Sequence, residues 1–346
     1  MKSLKLNKTT RWNYLTYLLV ILAYVILQVL GSAGAISSSL KGMLVPICAY
    51  IVMAISLNLT VGVLGELSLG HAGFMSMGAF TGVTAAIALQ DTVPSAPLRM
   101  AIALAVGAAF AALAGFLIGI PVLRLNGDYL AIVTLAFGEI IKSIFNNLYV
   151  GVDSKGIHMS LLSDKTNLAE GGKLIIAGPM GIGGIQKIST FTAGFVLVMI
   201  TLIVVFHLVN SRAGRAIMAI RDNRIAAESV GVNVTKYKMM AFVTSAALAG
   251  TAGALIAMNY STIGANKFDF NTSSRVLVFV VLGGLGNMLG SIIAAAALTI
   301  LPEALRQFSD YRMLVYAIVL ILVMLVTNNP TLKSFFSRFK PGNRSG

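Results

Sequence analysis

Charged side chains are scarce in this chain, at 11% of its 346 residues, whereas soluble domains carry about 25%. Hydrophobic residues make up 57%. So few charges cannot cover an ordinary surface with groups that water solvates. This composition excludes an ordinary soluble protein and indicates that lipid is the main solvent.

Other groups are also missing. The single cysteine, Cys48, excludes an internal disulfide or a cysteine metal cluster, and three scattered histidines do not predict a metal site. The segment Gly151–Gly156 lacks the Lys-Ser/Thr pair of a Walker A loop, so the chain is not expected to hydrolyse ATP. No catalytic constellation is apparent. Basic residues outnumber acidic ones by 26 to 12, yet no basic stripe with interleaved aromatics predicts nucleic-acid binding.

Long apolar runs dominate what is present. Since a spanning helix needs about 20 apolar residues, the runs predict an all-α, polytopic transmembrane helical bundle with about 8–10 spans, some discontinuous or re-entrant. The whole chain, 1–346, is interpreted as one membrane domain. The predicted spans are Tyr14–Leu30, Met43–Leu64, His71–Leu89, Leu98–Ile120, Tyr129–Tyr149, Phe191–Val209, Met239–Tyr260, Val276–Leu301 and Met313–Val326.

Two long links and the basic residues predict the orientation. Lys and Arg prefer the cytoplasmic side, which places the N-terminal tail and the basic link 210–238 inside. Counting spans from an inside N-terminus agrees: six precede the link 210–238, which falls inside. Five precede the link 150–190, which falls outside together with Lys155. The basic C-terminal tail also favours the inside, so one run must not cross in the ordinary way.

Glycine-rich breaks identify the irregular runs. The break at Gly283, Gly284 and Gly286 leaves Val276–Leu282 as only about 10 Å of helix, which predicts a hairpin that starts and ends on one face. A similar break, containing Gly65 and Gly70, precedes the third span. Non-helical backbone persists at membrane depth only when it is buried in protein or lines a cavity.

Polar residues near or within the apolar runs are candidates for a substrate path. A broken helix can offer free N–H groups to a carboxylate, which makes Ser68 and His71 candidates. The alternative is a packing seam in which a backbone carbonyl satisfies His71.

The fifth run contains an acidic residue. Glu139, in the same run as Thr134, either faces a water-filled path or pairs with Lys142. Asn58 needs a hydrogen-bond partner, and Glu66 is expected at the cytoplasmic edge.

The basic link 210–238 predicts one helix over Arg212–Val230, ended by Gly231. It either docks into a groove on a partner protein or lies on anionic lipid. The residues expected to make the docking surface are Arg221, Asp222, Ala226, Ala227, Glu228 and Gly231.

Four stretches resemble the branched-chain amino acid ABC permeases of the LivM type, in the order in which that family carries them. They are Ser56–Gly82 (SLNLTVGVLGELSLGHAGFMSMGAFTG), Gly127–Ile140 (GDYLAIVTLAFGEI), Ala219–Gly250, and Val281–Gly290 (VLGGLGNMLG) with the trailing Leu301-Pro302-Glu303. The outer link departs from the family at Gly151–Gly156, although Gly178–Ile182 fits. The resemblance covers most of Met43–Leu325.

The resemblance implies a multi-pass protein of the bacterial cytoplasmic membrane, with both termini inside, that imports leucine, isoleucine or valine. It implies as partners a second permease subunit of the LivH type, two ABC ATPase subunits that use ATP and Mg, and an extracytoplasmic substrate-binding protein. In this family a short cytoplasmic helix couples the permease to the ATPase. Similar permeases import urea, short amides, other amino acids or nucleosides, which stay open as alternatives, as do an intramembrane enzyme and a passive channel.

Overall fold

The computed structural model describes residues 8–34, 37–90, 92–125, 127–153, 156–161 and 173–305, with a few more between 314 and 321. Most of the predicted span Met313–Val326, the C-terminal basic tail, the start of the N-terminal tail and Lys155 lie outside the described residues. What is described is mainly helical, as predicted, and one continuous hydrophobic core runs through α2–α6 and α9–α11.

Eleven helices and three strands are described in this part of the chain. The helices are α1 (Lys8–Ser32), α2 (Ser38–Asn58), α3 (His71–Ala88), α4 (Ala96–Val122), α5 (Asp128–Asn147), α6 (Phe191–Asn210), α7 (Arg212–Asp222), α8 (Arg224–Ser229), α9 (Val234–Ala257), α10 (Phe270–Gly283) and α11 (Met288–Ala304). The strands are β1 (Tyr149–Asp153), β2 (Gly156–Ser160) and β3 (Lys173–Ala177).

Six of these helices are long and apolar enough to cross a membrane: α1, α4, α5, α6, α9, and α2 together with the π-helical turn Leu59–Leu64 that continues it. The other described spans predicted from the sequence form helices that are shorter or less apolar, namely α3, α10 and α11. The polytopic helical bundle is therefore confirmed.

The two ends of the bundle differ in character. After α5 the chain forms a small antiparallel sheet in the order β2-β1-β3, which an all-α interpretation did not include; we call this end the sheet face. The helix α6 then runs to the opposite end, where it is followed by α7 and α8. We call that end the basic face.

The predicted hairpin is present as α10 and α11, which pack against each other and against α2. Asn266, just before α10, bonds to Asn146 near the end of α5 at 3.1 Å, and Glu303 in α11 accepts a hydrogen bond from Ser39 at the start of α2. Both ends of the hairpin thus lie towards the sheet face.

The first helix of the hairpin, α10, begins at Phe270 rather than at the predicted Val276. The Asp269 carboxylate accepts a hydrogen bond from the Thr272 N–H and so caps the start of this helix.

Both glycine breaks occur where the sequence predicts them. Left-handed backbone, which favours glycine, is found at Gly65 (φ 81°), Gly284 (φ 93°) and Gly286 (φ 80°).

The other two glycines of the breaks lie in close packing. Gly70 lies directly before α3, with its Cα facing the backbone of Thr134. Gly283 packs against Gly290 and Ser291 across the hairpin. The segment 65–70 between α2 and α3 is not helical, and its inner part is buried in protein.

Candidate functional site

The two breaks meet at Asn58, the last residue of α2. Its Nδ2 donates to the Ser291 hydroxyl at 2.8 Å, and its Oδ1 accepts from the backbone N–H of Gly286 at 2.8 Å. The side chain is completely buried, so these bonds replace the water that it gives up. Asn58 therefore has the hydrogen-bond partners that it was predicted to need. Through Gly286 and Ser291 it connects the end of α2 to the tip of the hairpin.

Arg221, near the end of α7 on the basic face, contacts the chain just after Asn58. Its Nη1 donates to the carbonyl oxygen of Gly62 at 3.0 Å, and its side chain packs so closely on Gly65 that a Cβ there would lie 2.6 Å from Arg221 Cγ. We name Asn58, Gly62, Gly65, Arg221 and Gly286 the junction. It brings α2, α7 and the hairpin into one contact region.

The predicted single helix over Arg212–Val230 is wrong, because the segment forms two helices, α7 and α8. Asn223 between them has extended backbone (φ −157°, ψ 104°), and its side-chain oxygen accepts from the Ala226 N–H at 3.0 Å. Asparagine is a strong N-cap and here starts a new helix instead of continuing the old one. Gly231, with φ 85°, follows the end of α8 as predicted.

The apolar residues of this segment divide between the two helices. Ile217 and Ile220 in α7 are buried, whereas Ile225 and Val230, in and just after α8, are 79% and 78% exposed. The charged residues pair locally: Arg221 with Asp222 at 2.9 Å and Arg224 with Glu228 at 3.1 Å. Ala227 is buried and Ala226 is exposed. As a result, α7 holds the segment to the bundle and α8 presents an apolar surface outward.

His71 lies in a buried cluster of hydroxyl groups. Its Nε2 is 2.9 Å from the Ser56 hydroxyl and 3.4 Å from the Ser245 hydroxyl, and Ser245 donates to the Ser56 carbonyl. Hydroxyls therefore contact one nitrogen of this ring, in place of the backbone carbonyl that the packing alternative predicted.

Ser68 and Thr134 flank the same region. Thr134 Oγ1 accepts from the Leu69 N–H at 3.1 Å and donates to the Ala131 carbonyl at 2.9 Å, so it holds the non-helical segment before α3 against α5. Among the described residues, Ser68 Oγ and His71 Nδ1 are buried without a hydrogen-bond partner. Such orphaned atoms are rare in protein interiors. Ser68 lies in the break between α2 and α3, and His71 lies directly after it, at the start of α3.

Glu139 stands apart from that cluster. It forms an ion pair with Lys142, one turn later in α5, at 2.7 Å, and its side chain is 43% exposed. Of the two alternatives that the sequence leaves open, the local pair is the one found. Glu139 is not brought together with Asn58 or His71.

Sequence reasoning missed a second charged pair. Glu66, expected where a charge is easily tolerated, is only 13% exposed and pairs with Lys238 of α9, which is 4% exposed. Buried charges persist when they are paired, and removing one partner typically destabilises a protein by about 3–5 kcal/mol. The two residues are 172 positions apart in the sequence, so no local pattern could have paired them.

A cavity of about 380 Å³ near the sheet face was also missed. Its walls come from α2, α3, the end of α9, the loop after it and the first turns of α10. Charged or aromatic side chains on this lining include Tyr50, Tyr260, Lys267, Phe268, Asp269 and Arg275. The only signal in the sequence was the polar stretch 259–275 between two apolar runs.

Comparison with known proteins gives a consistent result. The family model described as "Branched-chain amino acid transport system / permease component" matches residues 39–324. The high-affinity branched-chain amino acid transport system permease proteins LivM of Salmonella typhimurium and Escherichia coli are both 36% identical over 286 residues, which cover 80% of this chain. The match spans 66% of each LivM protein's length.

A relative named for a different substrate also matches. The ribose import permease protein RbsC of Escherichia coli is 27% identical over 289 residues, covering 80% of this chain and 81% of that protein. No solved structure gives a significant match. Since the family model covers far more than half of the sequence, the chain belongs to the branched-chain amino acid transport system permease component family.

Proposed function

We propose that this chain is a permease subunit of a binding-protein-dependent ABC importer that carries leucine, isoleucine and valine across the bacterial cytoplasmic membrane. The LivM proteins that it resembles are named for branched-chain amino acid transport, and the family membership makes it a membrane component of a transporter rather than an enzyme. In this proposal partner subunits hydrolyse ATP, which agrees with the lack of a Walker A loop in this sequence.

The junction is the observation that carries this proposal. Arg221 holds the carbonyl of Gly62 at 3.0 Å, and Asn58 holds the N–H of Gly286 at 2.8 Å. A displacement of α7 and α8 by a partner ATPase would therefore reach both α2 and the hairpin through two contacts. Coupling requires an element whose arrangement is biased by both sites. In this proposal the junction is that element, and rocking of α2 and the hairpin would open the path alternately to each side.

Docking to an ATPase explains the character of α8 better than docking to lipid alone. Ile225 and Val230 are both more than three-quarters exposed beside the local Arg224–Glu228 ion pair, which suits an amphipathic segment placed in a groove. In this proposal Arg221, Asp222, Ala226, Ala227, Glu228 and Gly231 form or support the coupling surface.

The proposal also covers the remaining partners and the orientation, which the basic residues of the link 210–238 and the family resemblance support. The basic face lies in the cytoplasm with both termini, in contact with two ABC ATPase subunits, and the sheet face lies outside, where a substrate-binding protein docks. A second permease subunit of the LivH type packs beside this chain. LivH of Escherichia coli is itself 34% identical over 120 residues, 34% of this chain and 38% of that protein.

The substrate path would run along the break between α2 and α3. Ser68 lies in this break, and Asn58, His71 and Thr134 lie on the helices beside it. The unpartnered Ser68 Oγ and His71 Nδ1 could bind water or substrate along the path. Glu139 would act at the edge of this path, since it lines a small pocket with Asp269 and Ser273.

Uptake assays test the substrate. In cells that lack this gene we expect uptake of labelled leucine, isoleucine and valine to fall at least tenfold, and the gene supplied in trans should restore it. The panel should include ribose and fructose, because relatives are named for them, together with urea, a short amide, other amino acids and a nucleoside. Unchanged leucine uptake with loss of any other compound would overturn the substrate assignment.

A further inference from the structure

We propose that the cavity near the sheet face is a binding site for a free amino acid zwitterion, with its carboxylate on Lys267 and Arg275 and its ammonium group on Asp269. This inference rests on the proposed function and adds a receiving site for the substrate. At about 380 Å³ the cavity falls in the range of about 300–1,000 Å³ that small-molecule sites occupy.

Within the described part of the chain, the two cations on the cavity wall form no ion pair with an acidic side chain. No carboxylate of the described residues lies within 4 Å of Lys267 or Arg275, and the Lys267 ammonium instead lies 4.0 Å from the centre of the Tyr260 ring. Cations on a concave wall with no partner are suited to an incoming carboxylate, which arginine binds through two parallel hydrogen bonds.

Asp269 supplies the opposite charge. Burial raises the pKa of this carboxyl, but hydrogen bonds from Thr272 and Asn271, with nearby Lys142, outweigh burial and hold the pKa below its ordinary value. The group is therefore ionised at neutral pH. Its two oxygens accept from the Thr272 N–H and from Asn271 Nδ2, which leaves lone pairs free for an ammonium donor.

Apolar groups complete the cavity. Met75, Ile256, Ile263 and Phe268 line it beside the charged residues, and they would face a branched aliphatic side chain rather than a sugar. The wall is held in place, because Ile263 exchanges backbone hydrogen bonds of 2.9 and 3.0 Å with Ile182. The wall is therefore mixed, with polar groups for the two charges of a zwitterion and apolar groups for its side chain.

The cavity also lies close to the interior residues described above. Met75 is one turn from His71 on α3, and Ser273, next to the cavity residue Thr272, accepts from the Ala72 N–H at 3.0 Å. A zwitterion received here would lie at the outer end of the buried cluster of His71, Ser56 and Ser245.

Binding to the full-length chain in nanodiscs tests the site. Equilibrium dialysis at millimolar concentrations compares leucine with leucine methyl ester, which lacks the carboxylate, and 4-methylpentanoate, which lacks the amine. We expect leucine to bind at least tenfold more tightly than either analogue, and Lys267→Gln and Arg275→Gln to weaken leucine binding at least tenfold. The matched control is Lys187→Gln, which removes an exposed lysine outside the cavity lining and should bind as the unaltered chain does.

Three results would overturn the inference: no leucine binding, equal binding of 4-methylpentanoate, or unaltered binding by both glutamine variants. Leucine uptake by cells separates this inference from the proposed function. If uptake needs the gene but both variants bind and transport normally, only the cavity assignment fails. If the cavity binds leucine as described but uptake does not need the gene, only the importer assignment fails.

Discussion

Replacing Gly253 with leucine is expected to prevent stable folding of the bundle. A Cβ at this position in α9 would overlap the backbone carbonyl oxygen of Met75 in α3, and a backbone atom cannot move aside as a side chain can. Small residues let helices approach closely in lipid, and overpacking of a dense core costs about 1–3 kcal/mol or more. We expect the membrane-inserted, monodisperse protein to fall at least tenfold, measured by fluorescence-detected size exclusion in detergent.

Gly42→Leu is the matched control for that experiment. Gly42 lies in α2, and a Cβ there would meet nothing within 4 Å, so its yield should stay within twofold of the unaltered chain. If the leucine variants at positions 253 and 42 gave equal yields, the close approach of α3 and α9 would be wrong.

The second large effect is expected for Arg221→Ala, which removes the bond to the Gly62 carbonyl. Transport should fall at least tenfold while ATP hydrolysis and membrane insertion persist, because the contact between α7 and the broken end of α2 is lost and the packed core is not. Glu228→Ala and Gly231→Ala should act in the same direction through the docking surface. The measurement pairs leucine uptake with ATPase activity in proteoliposomes of the assembled importer.

Arg215→Ala provides the control on the same helix. Arg215 carries the same charge but bonds to the Asn210 carbonyl at 3.3 Å, away from the junction, so coupled transport should be retained. Normal coupled transport in Arg221→Ala, Glu228→Ala and Gly231→Ala alike would remove the coupling proposal.

Local patterns were sufficient to predict most of the helices. Length and hydropathy depend on nearby residues, so runs such as Phe191–Val209 appear as helices with nearly the predicted limits. The hairpin was predicted from Gly283, Gly284 and Gly286 because a glycine break interrupts a short apolar run. The split between α7 and α8 was also a local event, but the capping preference of Asn223 was overlooked in an otherwise helical sequence.

Long-range pairings were beyond the reach of sequence alone. Asn58 was known to need a partner, but Gly286 and Ser291 are 228 and 233 positions away. The Glu66–Lys238 pair and the charged cavity have the same origin, since tertiary packing brings distant segments together. Within the candidate site, the sequence indicated candidate polar residues, and the fold determined what they contact.

Sided cysteine labelling tests the central claim, that α7 and α8 face the ATPases while the sheet face lies outside. The only native cysteine, Cys48, is buried and is replaced by alanine, and single cysteines are placed at the exposed positions Arg224 and Ser261. A membrane-impermeant thiol reagent should label Ser261→Cys in intact cells, and Arg224→Cys only in inverted vesicles. Labelling of Arg224→Cys in intact cells, with Ser261→Cys protected there, would contradict the account.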